Sequence, residues 1–306
     1  MRAAPAPAPA GRSQERDRPV VAAVDGSDTS YAAARWAADE AARCGAPLWL
    51  VAAVPWSTFL PIGLPHLGQE HGRDVVVRDA ERRLAHAAEA AGHVLDRSLV
   101  RTRVLGGSAA EVLWEVSAGA RLLVLGSRGR GGFTALVAGS VAVTAAATAR
   151  CPVVVHREPG QQGGPVVVGL TDEPGAELEF AVEQAVRRNV PLVAVHGWFD
   201  EKLDPWTAEL MARTARQAGA VDAAAARVDD ALSPWRGARP GLVARSRVLL
   251  DTPSAALVGE SSAAQLVVVG SRGRGAVSGM LLGSTSQAVL RHAHCPVAIA
   301  RDADAS

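Results

Sequence analysis

The chain has 306 residues, 48% of them hydrophobic and 21% charged, with a formal net charge of +1 at pH 7. At roughly 150 residues per domain, that length predicts two compact domains, each able to bury its own core. The balanced charge gives no reason to expect nucleic acid or an anionic membrane as partner, and no apolar stretch approaches the ~20 residues of a membrane span.

Residues 1–18, MRAAPAPAPAGRSQERDR, hold too much proline for a helix and lack the apolar centre of a secretory signal, while Glu15 and Asp17 break the acid-poor pattern of a transit peptide. They predict a disordered tail. From there, apolar runs of strand length alternate with helical patterns. Strands are expected at 19–24, 48–54, 99–105, 122–126 and 152–156, with helices at 27–45 and near 73–91, 108–119 and 140–149. The first helix opens on SDTS and ends at Gly45 with Pro47 beyond, the usual punctuation of a helix. Runs apolar throughout, rather than alternating, suit an α/β fold with a parallel sheet covered by helices on both faces.

The second half follows the same plan, with strands near 166–170, 192–196, 245–250, 266–270 and 296–300. Residues 200–241, which include the chain's only lysine, Lys202, and SPWRGARPG at 233–241, give no clear helix limits. Cys44, Cys151 and Cys295 are odd in number and widely spaced, so they offer neither a disulfide framework nor a Cys-x-x-Cys site. They read as small buried apolar residues in the reducing cytoplasm.

The halves are copies. LVLGSRGRGGFTALVAGS at 123–140 reappears as VVVGSRGRGAVSGMLLGS at 267–284, an offset of 144, and ARCPVVVHR at 149–157 matches AHCPVAIAR at 293–301. A repeat that long is a whole domain rather than a solenoid unit. The polar stretch REPGQQGG, 157–164, reads as a linker, so the expected organisation is a domain at 19–157, a linker at 158–164, a second domain at 165–301 and a short tail at 302–306.

Gly126 ends a strand and Gly129 follows three residues later, able to take φ > 0 and let backbone approach a ligand; Gly139-Ser140 then opens an apolar helix. A phosphate could meet unpaired loop amides together with the Ser140 hydroxyl and the helix N-terminal amides through Val141. The loop lacks the lysine of a P-loop, and it follows the fourth strand, not the first as a dinucleotide fingerprint would. Gly-x2-Gly-x9-Gly-Ser recurs as Gly270, Gly273, Gly283 and Ser284, whereas 131–138 and 275–282 differ considerably.

This motif, together with AAVDGS at 22–27 after the first strand and CPV opening the last, resembles the universal stress protein family in tandem form. The resemblance covers nearly all of 19–157 and 165–301. It implies two open parallel five-stranded sheets of order 3-2-1-4-5, a Rossmann-like arrangement of the adenine nucleotide alpha hydrolase type. It further implies ATP, with or without Mg²⁺, as ligand, and assembly through the last strand. In that order strands 1 and 4 are neighbours whose connections leave in opposite directions, a crevice where such sheets bind ligands. Asp25 and Gly126 would stand at its lips, the Asp25 carboxylate accepting from an adenine amino group; Val54 matches the family position whose backbone contacts adenine. Asp25 has a second reading, as an Asx-turn or capping residue in DGSDTS. Ser127 lies between the glycines, and Arg128 and Arg130 either pair with phosphate or solvate the loop. In the second half Thr171 replaces Asp25, so ATP is expected mainly in the first.

Other candidates carry less. His66, Glu70 and His71 match no common metal spacing and sit in an insertion, 57–74, that reads as a flap over the crevice. His292 and His294 read as surface or interface residues, and Trp36, Trp49 and Trp114 as core. The function expected is a regulatory nucleotide-binding module read by a protein partner, its halves forming an internal pseudo-dimer that could pair again as a homodimer. The alternatives are a slow ATPase or nucleotidyl transferase, against which stands the want of a carboxylate pair for Mg²⁺ and of a lysine near the phosphates, and a structural protein that binds nothing. No catalytic or metal residues are expected.

Overall fold

The computed structural model describes residues 17–55, 69–129, 139–157, 160–171, 174–199, 205–217, 219–271 and 282–301. They fall into two compact units divided between His156 and Arg157.

The first unit runs β1 (Val20–Ala23), α1 (Asp28–Cys44), β2 (Leu48–Val54), α2 (Gln69–Ala91), β3 (Val100–Gly106), α3 (Ala109–Ser117), β4 (Leu122–Gly126), α4 (Ser140–Thr148) and β5 (Val153–His156). The strands pair in parallel in the order β3-β2-β1-β4-β5, the order that the resemblance implied. α1 and α2 pack together on the sheet, and α3 packs with α4. Val20, Val21, Leu48, Leu50, Leu123 and Val154 have no measurable exposure, and burying each such side chain stabilises the fold by roughly 1.5–3 kcal/mol. α1 meets this sheet through alanine: Ala33, Ala34, Ala37, Ala38 and Ala41 are all buried, so the helix lies close.

Local chemistry sets the helix ends. The Ser27 hydroxyl accepts from Ser30 N at 3.2 Å to start α1, and Gly45, at φ 62°, ends it with its N–H on the Ala41 and Ala42 carbonyls. Ser108 and Glu111 form a reciprocal capping box on α3. α2 begins at Gln69, so 69–74, the end of the segment expected as a flap, is helical.

The second unit repeats the plan: β6 (Val166–Gly169), α5 (Ala176–Arg188), β7 (Leu192–Gly197), α6 (Pro205–Gln217), α7 (Ala220–Ala238), β8 (Ala244–Leu249), α8 (Pro253–Ser261), β9 (Leu266–Gly270), α9 (Ser284–His292) and β10 (Val297–Ala300). Its parallel order is β8-β7-β6-β9-β10. Within the region without clear limits, the described residues form two helices, α6 and α7. Gly219, at φ 66°, lies between them, and Pro234 sits inside α7, where it has no N–H to offer the carbonyl of residue 230. The linker is not loose where it is described: Gln161 N donates to Ala264 O at 3.0 Å and Gln265 Nε2 to Gly164 O at 2.6 Å.

Candidate functional site

Because β1 and β4 are neighbours while α1 and α4 leave toward opposite faces, their carboxyl ends open a crevice. It holds a cavity of about 820 Å³ whose walls include Asp25, Thr29, Arg83, Leu113, Gly129 and Ser140. Asp25 and the glycine loop, 101 positions from Asp25 to Gly126, are thus brought together.

Asp25 forms the Asx-turn: its Oδ1 accepts from Ser27 N at 2.9 Å and from Ser27 Oγ at 2.6 Å. Its Oδ2 lies beside Gly129, where an added methyl group would stand 2.8 Å away. The turn therefore aims the carboxylate across the crevice, and the two readings of Asp25 are compatible. With the Ser27 proton on Asp25, the Arg128 carbonyl is left to the Thr29 hydroxyl, which donates to it.

The glycines differ from expectation in their reasons. The left-handed glycines among the described residues are Gly26, Gly45, Gly107, Gly163 and Gly219, so Gly129 is needed for space and not for φ. Gly126 lets α1 approach: a side chain there would meet the Thr29 backbone carbon at 2.7 Å. Two loop amides are already engaged, Ser127 N on His156 O and Gly139 N on Ser127 O, both at 2.8 Å. They close the strand-to-helix turn, which corrects the expectation of a loop of unpaired amides. The start of α4, Ser140 and Val141, is exposed and has no side-chain cap. Arg128 is exposed beside it; Arg130 lies outside the described residues.

Val54 is buried and its carbonyl accepts from Gly107 N at 3.0 Å, while Val51 and Ala53 of the same strand reach the cavity with Ala23, Ala109 and Leu113. Sequence reasoning missed Thr29, Arg83 and this apolar wall. Arg83 does recur as Arg227 at the 144-residue offset, but only the fold places it near Asp25.

In the second unit Gly283 begins α9 as Gly139 begins α4, again with no side-chain cap, and Ser271 N and Gly283 N make the same two bonds, each at 3.0 Å. The Ser286 hydroxyl donates to Gly270 O at 2.6 Å. Gly273 lies outside the described residues. The apolar side is narrower. A methyl on Gly197, which replaces Ala53, would meet the Pro253 backbone at 2.5 Å, and one on Gly169, which replaces Ala23, would meet Leu257 Cδ1 at 2.7 Å. Phe199 is buried nearby in sequence.

Cys151 and Cys295 are buried, and burial pushes the Cys295 thiol up to about 12. His292 and His294 are exposed. Trp36 and Trp49 are half-buried, but Trp114 is 42% exposed with the Arg150 guanidinium 3.9 Å from its ring. The inward face of α3 is Val112, Leu113 and, one turn on, Ser117, and Trp114 lies about 100° round from Leu113, toward solvent. His66 falls outside the described residues. Among the described residues no three His, Cys, Asp or Glu side chains gather as a metal site, and no helix is long and apolar enough to cross a membrane.

The model of the universal stress protein family matches residues 18–157 and again 165–301. The chain is 37% identical over 297 residues to universal stress protein Rv2005c of Mycobacterium tuberculosis, covering 92% of this chain and 96% of that one. A universal stress protein structure from Archaeoglobus fulgidus DSM 4304, 19% identical, superposes with a TM-score of 0.65 over 95% of this chain and 99% of its own, a likeness of fold. Another universal stress protein structure, in complex with cAMP, covers 46% of this chain and 97% of its own at 23% identity and a TM-score of 0.36.

Proposed function

We propose that this chain, which belongs to the universal stress protein family in tandem form, binds ATP in the crevice of its first half and acts as a nucleotide-sensing regulatory module in the stress response. The observation that carries this reading is the meeting of Asp25 with Gly129 inside a cavity of about 820 Å³ that also reaches the uncapped start of α4. An acceptor beside the glycine loop, the helix amides that follow it and the apolar wall of Val51, Ala53 and Leu113 suit a molecule with an amino-bearing base and an anionic tail.

In this reading the adenine amino group donates to Asp25, with the end of β2 near Val54 beside the base. The phosphates pass Gly126, Ser127, Arg128, Gly129 and Arg130 to reach Gly139, Ser140 and Val141. The engaged amides of Ser127 and Gly139 hold the turn's shape, so the anion rests on Ser140, Val141 and Arg128. Mg²⁺ would arrive with the nucleotide on its phosphates. The second half, with Gly270, Gly273, Gly283 and Ser284, keeps the phosphate side but has Thr171 in place of the carboxylate, and serves mainly as a partner domain. We take 19–157 and 165–301 as the two domains, joined by 158–164, in a cytoplasmic protein that signals to a protein partner. A homodimer built on the internal pair belongs to the same proposal.

Calorimetric titration of the purified chain with ATP and Mg²⁺, beside mass spectrometry of co-purified nucleotide, tests the reading. We expect a single tight site per chain. Two equal sites, or no binding, would overturn it.

A further inference from the structure

We infer that Arg83 is a positioning residue of this site: it clamps the backbone of the Asp25 turn from α2 and, through the Asp25 carboxylate, sets the preference for a base with an amino donor over one with a carbonyl acceptor. The inference rests on the nucleotide reading above and names a part of that site which the glycine motif does not contain.

Arg83 reaches the turn from another element, 58 residues along the chain, and its Nη1 donates to the Asp25 main-chain carbonyl at 3.2 Å. Its Nη2 is ion-paired with Asp79 one helical turn earlier, and 24% of its side chain remains exposed. The aliphatic stem lies flat on Gly26: a methyl there would meet Arg83 Cδ at 2.6 Å and Cγ at 3.2 Å, and Gly26 itself has φ +88°. Asp25 is therefore held twice, at its carboxylate by Ser27 and at its carbonyl by Arg83. A turn fixed at both points can swing its carboxylate little.

That matters for selection. A carboxylate accepts from the N6 amino group of adenine, but faces the O6 carbonyl of guanine acceptor to acceptor. Such rejection is strong only if the carboxylate cannot turn away. The chain's own duplication agrees: the second half has Arg227 at the Arg83 position, yet Ala223 stands for Asp79 and Thr171 for Asp25. Asp79 is not repeated in the second half, and neither is Asp25.

The test titrates the full-length chain with ATP and with GTP, comparing wild type with Arg83→Met, which keeps the stem over Gly26, with Arg83→Lys, and with Asp79→Asn, and follows melting temperature throughout. Arg83→Met should weaken ATP binding about 10-fold, the scale of one charge-assisted hydrogen bond, while leaving GTP within about 2-fold. Arg83→Lys should restore part of the ratio, and Asp79→Asn should lower it about 3-fold even if Arg83→Met fails to fold. An unchanged ATP-to-GTP ratio in Asp79→Asn and in folded Arg83→Met would overturn the clamp and leave ATP binding standing. A wild-type chain that binds neither nucleotide would overturn the reading beneath it.

Discussion

At the ends of β1 and β2 the first half carries Ala23 and Ala53, both on the cavity wall. At the same places the second half carries Gly169 and Gly197, with Leu257 and Pro253 so near that neither glycine has room for a methyl group. Both halves keep the strand order, the glycine-capped helix after the fourth strand and the two amide bonds that shape its turn. The duplication has thus preserved the glycine-loop side and drawn a helix down onto the sheet on the apolar side. Architecture and site separate because strand and helix are written locally, whereas the width of a crevice depends on how closely α3 or α8 can approach.

The largest effect should come from Gly129→Val, which drives a branched side chain toward Asp25 Oδ2; we expect ATP affinity to fall more than about 100-fold by calorimetry, over 2.7 kcal/mol. Gly273→Val, its counterpart, should leave the tight site intact. Equal losses from the two would break the comparison. Asp25→Thr makes the first half like the second and should weaken binding about 5- to 150-fold, ~1–3 kcal/mol. The reverse change, Thr171→Asp, should recover little, because the close approach of Pro253 and Leu257 remains; a new tight site in that variant would show that the carboxylate alone separates the halves.

Gly197→Ala should cost about 1–3 kcal/mol of stability in thermal or denaturant unfolding, since backbone and not a flexible side chain stands in the way. Ala53→Gly in the first half should cost no more than about 1 kcal/mol.

The smallest difference lies in the caps of α3 and α8. Hydrogen bonds from the Ser108 hydroxyl, then from the Ser108 amide, hold the Glu111 carboxyl below its ordinary value. Since the folded value lies under the unfolded one, near 4.3, this contribution is present above that pH and is lost as pH falls through the folded value. Ser108→Ala should lower the melting temperature by about 2–4 °C at pH 7, and by less below about pH 4. Thr252 caps α8 with its hydroxyl on Ala255 N at 3.3 Å, while its own amide donates to the Asp251 carboxylate at 2.7 Å; no titrating group binds the hydroxyl that Thr252→Ala removes, so that loss should not change over that range.

Particular residues show what could be read from the chain. The inner strands announced themselves as unbroken apolar runs, unlike the edge strands β3, with Arg101 and Arg103, and β8, with Arg245 and Arg247; α1 was bounded by Ser27 and Gly45, whose side-chain acceptor and left-handed backbone are local properties. Residues 205–238 resisted because Gly219 and Pro234 both signal a break, and only packing shows that one lies between two helices while the other is absorbed inside a helix. Trp114 misled because hydrophobicity says nothing of phase; a helix that turns 100° per residue put it outside, under Arg150.

The sequence by itself determined the duplication, the α/β alternation and the motif that tied Asp25, Gly126, Gly129 and Gly139 to one site. Only the tertiary structure decided that Gly129 is there for space, that the Ser127 and Gly139 amides serve the turn, that Arg83 crosses from α2 to the Asp25 carbonyl, and that the second crevice is narrowed by Pro253 and Leu257. The division has one physical cause. Capping, periodicity and turn chemistry act between residues a few positions apart, while a ligand site is a gap between distant elements, and its size is fixed only when they pack.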